Sequence, residues 1–173
     1  MAAAVDDVDR GEGFDVILRD FFGAPAFKIA DRHWQSGFPM PFIEQMKHVD
    51  VDVVSLASDE TQPDQEGLAN IKRDCPHLSL ILCPFKDTDD PAKLDAIVKI
   101  ARGVADKLAG HLRNGKTILS TCSAGRNRSG LISGLVLMKR YGLTGKEAVE
   151  RVRLARPNAL TNDTFREYLE SLP

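Results

Sequence analysis

A short β-branched run, Thr117-Ile-Leu-Ser-Thr121, passes without a spacer into a glycine-containing loop and then into a helical apolar pattern at Leu131, Ile132, Leu135 and Met138. That order restricts the fold more than any other feature of the chain. A parallel partner strand is reached only through a crossover, so strand–loop–helix units imply a largely parallel sheet with covered faces. The alternation extends in both directions. Ala26-Phe-Lys-Ile-Ala30 and Trp34-Gln-Ser-Gly37 are short strand candidates, and Val51-Asp-Val-Val-Ser-Leu56 reads as a buried strand. Residues 63–74 suit a helix, and Leu78-Ser-Leu-Ile-Leu-Cys83 a further strand ended by Pro84. A short helix is expected after Pro39 or Pro41, with Phe42, Ile43 and Met46 on one side.

From Pro91 to about Leu112 the apolar residues Leu94, Ile97, Ala101, Val104, Leu108 and Leu112 recur at steps of three or four, the period of one helix face. Asn114-Gly115 ends that helix and Gly142 the next. Thr144-x-x-Glu147 is a capping-box pattern, and a last helix is expected over about 161–172. The expected fold is a single α/β domain with a central, mostly parallel sheet of about four to five strands flanked by helices. Residues 1–24 read as an N-terminal extension and 25–173 as the domain.

Composition narrows the classes of function. Apolar residues are 43% and charged residues 28% of 173, a globular balance. The net charge of −2 supplies no global basic field for nucleic acid or anionic lipid. No apolar run approaches the roughly 20 residues of a membrane span, and the acidic start Met1-Ala-Ala-Ala-Val-Asp-Asp-Val-Asp-Arg10 lacks the basic and apolar regions of a secretory signal. Three irregularly spaced cysteines, Cys75, Cys83 and Cys122, argue for a reducing compartment, and a cytoplasmic location is expected. His33, His48, His77 and His111 include no pair at metal-ligand spacing, so neither a metal nor another cofactor is expected.

The chemistry is concentrated in Thr121-Cys122-Ser123-Ala124-Gly125-Arg126-Asn127-Arg128-Ser129-Gly130. A loop between a strand end and a helix N-terminus presents backbone N–H groups and partial positive charge to an anion. The same field favours the thiolate of Cys122, which is a strong nucleophile. Arg128, six residues on, stands where its planar guanidinium can fold back and donate two parallel hydrogen bonds to a phosphoryl group. Gly125 lets the loop turn tightly. Ser129 places a hydroxyl where it can hydrogen-bond the sulfur and improve it as a leaving group. The loop residues Ser123, Ala124, Gly125, Arg126, Asn127 and Arg128 are therefore candidates for phosphate binding, and Cys122, Arg128 and Ser129 for catalysis. Cys75 and Cys83 have Ile81 and Asp89 at the corresponding distance and fail the pattern.

Phosphate ester cleavage also needs a general acid for the leaving oxygen. Pro84-Phe-Lys-Asp87-Thr-Asp89-Asp90-Pro91 follows a strand whose C-terminal end shares a sheet edge with Cys122. The residues alone leave Asp87, Asp89 and Asp90 open. Asp89 or Asp90 is the natural cap ahead of Pro91, which leaves Asp87 freest.

The loop CSAGRNRSG at 122–130 resembles the Cys-x5-Arg-Ser/Thr signature of the protein tyrosine phosphatase superfamily, and the chain's size resembles that of its dual-specificity branch. The similarity covers most of residues 25–172: Trp34-Gln-Ser-Gly-Phe-Pro39, Val51–Leu56, Pro84-Phe-Lys-Asp87 and Arg156-Pro157-Asn158 each match a family segment. The resemblance implies a phosphatase working through a cysteinyl-phosphate, and favours Asp87 as the acid. It implies a phosphorylated protein as partner, carrying phosphotyrosine and also phosphoserine or phosphothreonine. A phosphoinositide or an RNA 5′-phosphate is the alternative substrate, and a phosphate-binding module of low turnover a further one. The family's usual histidine before the nucleophile is replaced by Thr121, which implies reduced or retuned activity, with Thr121 hydrogen-bonding the loop instead.

Two other signals carry less. Gly110-His-Leu-Arg-Asn-Gly115-Lys116-Thr117 spells a nucleotide-binding loop, but it follows a helix and opens a strand, the reverse of what that loop needs. Cys83 reads as a buried strand cysteine, with a reversible disulfide to Cys122 as the second reading.

Overall fold

The computed structural model of the chain describes residues 26–38, 44, 46, 47, 49–59 and 65–173. In chain order these form strands β1 (Phe27–Ala30), β2 (His33–Gly37) and β3 (Val53–Ser58), helix α1 (Gln65–Asp74) and β4 (Ser79–Pro84). A 3-10 turn (Pro91–Lys93) then leads into α2 (Leu94–Arg113), followed by β5 (Ile118–Cys122), α3 (Arg128–Tyr141), α4 (Gly145–Ala155) and α5 (Asp163–Glu170). The strands make one sheet in the order β1-β2-β5-β3-β4. Only β1 runs antiparallel to its neighbour. The expected mostly parallel α/β sheet is the one observed. The N-terminal extension and the greater part of the helix expected after Pro39 or Pro41 lie outside the described residues.

Register positions the site. Gly37 pairs with Cys122, Cys122 with Ala57, and Ala57 with Cys83, so four parallel strands finish on one line across the sheet. Loops that follow parallel strands open from that edge, where ligands gather in such sheets. Because side chains alternate across a strand, Val53, Ala57, Ile118 and Cys122 face the larger core with α2 to α5. Val54, Leu119 and Trp34 face a smaller cluster with Met46 and Cys75. Helix α2 buries Ile97, Ala101, Val104, Leu108 and Leu112, the stripe that its sequence period predicts. Helix α3 is buried over all of Arg128–Leu137, so its first turn is fixed by packing on every side.

Boundaries moved where side chains took other partners. Strand β3 begins at Val53 rather than Val51, because the Asp52 carboxylate accepts from Thr117 N (2.8 Å) and Lys116 Nζ (3.1 Å) and ties the entry of β5. The region after Pro91 opens as a 3-10 turn, capped by Asp90 Oδ1 accepting from Ala92 N at 3.1 Å. Asp90 is thus the cap that the sequence left shared between it and Asp89. The capping box at Thr144 and Glu147 is present in both halves. In the Gly110–Thr117 segment, Asn114 and Lys116 donate back to carbonyls of the α2 C-terminus and Gly115 takes φ 74°, so the segment is a helix stop. Cys83 and Cys122 flank Ala57 from opposite sides, about 9.6 Å apart by strand spacing. A disulfide needs Cα atoms within roughly 7 Å. The second reading of Cys83 is therefore corrected.

Candidate active site

Cys122 is the last residue of β5 and is 3% exposed. Its Sγ lies 3.3 Å from Ser129 Oγ in the first turn of α3. The other two thiols sit in worse surroundings for a nucleophile. Burial pushes Cys83 up to about 12, with Arg128 pulling weakly the other way, and burial also raises Cys75.

The five residues between Cys122 and Arg128 are held from outside. Gly125 has φ 64°, and a Cβ there would stand 2.1 Å from the backbone carbon of Ser36, so this position needs glycine for both its conformation and the close approach of β2. Gln35 Nε2 donates to Gly125 O (3.0 Å), Arg156 Nη2 to Ala124 O (2.8 Å) and Leu160 N to Arg126 O (3.2 Å). In a trans peptide the next N–H points opposite to the carbonyl. Engaging the carbonyls of Gly125 and Arg126 therefore turns the N–H groups of Arg126 and Asn127 away from those partners. The Gly125 N–H donates within the loop to Cys122 O (3.2 Å). Asn127 precedes α3 without its side chain capping the helix, so the helix N-terminus stays open to an anion.

Arg128 is buried under the loop. Its Nη1 donates to Asp59 Oδ1 (2.5 Å) and Phe85 O (3.3 Å), and its Nη2 to Ser123 Oγ (2.8 Å). Its Nε is buried with no partner among the described residues. Buried polar atoms are nearly always satisfied, so an unmatched Nε, on a guanidinium whose Nη1 and Nη2 are both held, is a donor left over at the loop. Asp59, the first residue beyond β3, was not singled out in the sequence; its place on the shared sheet edge is the only signal that marks it.

Asp87 lies on the segment after β4, and both carboxylate oxygens are held: Oδ1 accepts from Asn162 Nδ2 (2.7 Å) and Oδ2 from Asn127 Nδ2 (3.0 Å). Asp89 contributes a backbone carbonyl to Thr164 Oγ1 (3.1 Å) and Asp90 caps the 3-10 turn. Of the three aspartates, Asp87 alone has its carboxylate tied to the Cys122 loop. Asn162 and Arg156 were likewise not assigned roles in the sequence; an asparagine ahead of an apolar helix face marks the first only as a cap.

The profile of the family described as dual specificity phosphatase, catalytic domain, matches residues 40–172. The chain belongs to the dual specificity phosphatase family. Solved structures share its fold. Human DUSP28 superposes with a TM-score of 0.66 at 22% identity, covering 84% of this chain and 90% of that one. Tk-PTP in a mutant form gives 0.66 at 25% identity over 84% and 93%, and in its active form 0.62 at 27% over 84% and 95%. No curated protein matches the chain by sequence.

Two further contacts flank the site of this phosphatase domain. Thr121 Oγ1 donates to Ser55 O on β3 (2.8 Å). The expectation that it bonds the loop is corrected: its side chain points across the sheet from a fully buried strand position. Arg156 stacks over the Phe27 ring at 4.8 Å, and burial holds its guanidinium below the usual range, with Cys122 opposing and Arg126 adding to that shift.

His33 lies beneath the same strands, fully buried, with Nε2 at 3.3 Å from both Ser120 Oγ and Ser133 Oγ. Burial lowers it to about 3. The unfolded chain therefore binds a proton that the folded phosphatase refuses between roughly pH 6.5 and 3, so stability rises with pH across that window. Unfolding in urea is expected to cost progressively less as pH falls below 6.5, by up to about 1.4 kcal/mol per unit from this group. His33→Gln should flatten that slope; an unchanged slope would show that His33 does not carry it.

Proposed function

We propose that this domain hydrolyses phosphate monoesters through a cysteinyl-phosphate, acting on phosphotyrosine in proteins and also on phosphoserine or phosphothreonine. The reading rests on one convergence: a strand-end sulfur, a hydroxyl 3.3 Å from it and a buried guanidinium with an unmatched Nε meet around one loop. Residues 25–173 form the catalytic domain in this reading, working in the cytoplasm. Cys122 attacks phosphorus in line while the P–O bond to the leaving group breaks and Asp87 delivers its proton to that oxygen. Arg128 and the amides of Ser123, Ala124, Arg126 and Asn127 hold the equatorial oxygens as charge spreads over them, while Gly125, its N–H donating to Cys122 O, lets the loop turn around them. Water then attacks phosphorus, Asp87 takes its proton, and the P–S bond breaks. Ser129 donates a hydrogen bond to the departing sulfur. No metal enters the cycle.

Arg126, exposed on the loop, is the observation that keeps an inositol phospholipid as a second substrate class. The test is direct. Purified protein should hydrolyse an aryl phosphate between about pH 5 and 7, and rank phosphotyrosine peptides above phosphoinositides and RNA 5′-ends. Phosphate binding without hydrolysis would instead identify a binding module.

A further inference from the structure

We propose that Asn162 is the positioning residue for the acid, using the N-terminus of α5 to aim the Asp87 carboxylate at the loop; this rests on the reading of Asp87 as the acid. The Asp87 side chain is exposed and belongs to a stretch, residues 85–90, that has no regular structure. Left alone, such a carboxylate spreads over several rotamers, and proton delivery needs one of them. Asn162 removes that freedom. Its Nδ2 donates both to Asp87 Oδ1 (2.7 Å) and to Thr88 O (3.1 Å), so a single amide fixes the acid's side chain and its backbone.

Asn162 is itself rigid. It is 6% exposed, its Oδ1 caps α5 by accepting from Phe165 N (3.1 Å), and its own N–H donates to Asn127 Oδ1 (3.0 Å). Thr161 Oγ1 donates to the same Asn127 oxygen at 3.1 Å. These donors fix both amide orientations: with each Oδ1 accepting, each Nδ2 must face Asp87. Below them the Phe85 and Phe165 rings meet edge to face at 6.2 Å, locking the acid segment onto α5. Each Asp87 oxygen accepts one amide donor and keeps a lone pair for the transferred proton.

A cap requires only the Oδ1 of Asn162, and serine caps a helix about as well as asparagine. Asn162→Ser therefore separates the two roles, because its hydroxyl is too short to reach Asp87. The experiment measures kcat/KM for aryl phosphates of graded leaving-group basicity, with thermal unfolding as control. Asn162→Ser should leave the unfolding midpoint and p-nitrophenyl phosphate hydrolysis within about threefold, yet slow phenyl phosphate at least tenfold. In the Asp87→Ala background it should add nothing further. Asn162→Asp, an equally good cap that sets a like charge against Asp87, should discriminate leaving groups at least as strongly and serves if serine weakens α5. If Asp87→Ala discriminates leaving groups and neither Asn162 variant does, the inference falls while the acid assignment stands. If Asp87→Ala does not discriminate either, the acid assignment falls and takes the inference with it. A further loss in the double variant would also overturn it, since Asn162 would then act on something other than Asp87.

Discussion

Cys122→Ser is expected to abolish turnover, by about four decades or more, while the protein keeps its affinity for phosphate analogues. The substitution exchanges sulfur for oxygen at a 3%-exposed strand end and leaves every group that holds the loop in place. Gln35, Arg156 and Leu160 still engage the loop carbonyls, and Arg128 is still fixed by Asp59 and Phe85 O. What disappears, on the proposed mechanism, is the sulfur that attacks phosphorus. The measurement pairs a hydrolysis assay with titration of tungstate, an oxyanion held without a bond to the nucleophile. Residual turnover near the wild-type level would overturn the covalent route, and loss of oxyanion affinity would show that the loop, rather than the nucleophile, had failed. The same variant is the reagent for finding the physiological substrate, since it should capture a phosphorylated molecule without releasing it.

The second large effect is expected at the acid. Asp87→Ala should lower kcat/KM for substrates with basic leaving groups by two to four decades, roughly the range supplied by a positioned proton donor. Asp90→Ala should leave that chemistry intact and weaken only the cap on the 3-10 turn. The contrast is decisive because the two carboxylates stand three residues apart and share a charge and a surface. A reversal, with Asp90→Ala crippling the rate and Asp87→Ala sparing it, would move the proton donor to the other residue.

The sequence revealed this site wherever the determinant was local. Cys122 and Arg128 are a strand end and the first turn of the next helix, and the five loop residues between them fix their sequence relation. Gly125 was legible as a turn, but the additional reason for it, the backbone of Ser36 where a Cβ would stand, comes from β2 and is visible only in three dimensions. Asp59, Asn162 and Arg156 reach the loop from the end of β3, the cap of α5 and the end of α4. No spacing rule links those positions to Cys122; the resemblance marked the Arg156-Pro157-Asn158 stretch without a role, and Asp59 and Asn162 had no mark beyond a sheet edge and a helix cap. Thr121 was misjudged for a related reason: adjacency to the nucleophile suggested a loop contact, whereas the strand pleat turns its hydroxyl toward β3. Among the described residues the strands and helices agree nearly whole with the sequence pattern, because apolar period and turn residues point the same way there. Their edges slipped where a side chain such as Asp52 took a tertiary partner.

The unmatched Nε of Arg128 has a consequence for the molecule as a whole. A desolvated donor without an acceptor weakens the native state, and on the proposed mechanism an oxyanion seated on that edge would remove the defect. Occupancy then feeds back on folding through linkage: at a hundred times Kd a ligand adds about 2.7 kcal/mol to the native state. On the proposed mechanism the resting molecule thus carries one buried donor in its site that the described residues leave open, and a seated oxyanion closes it.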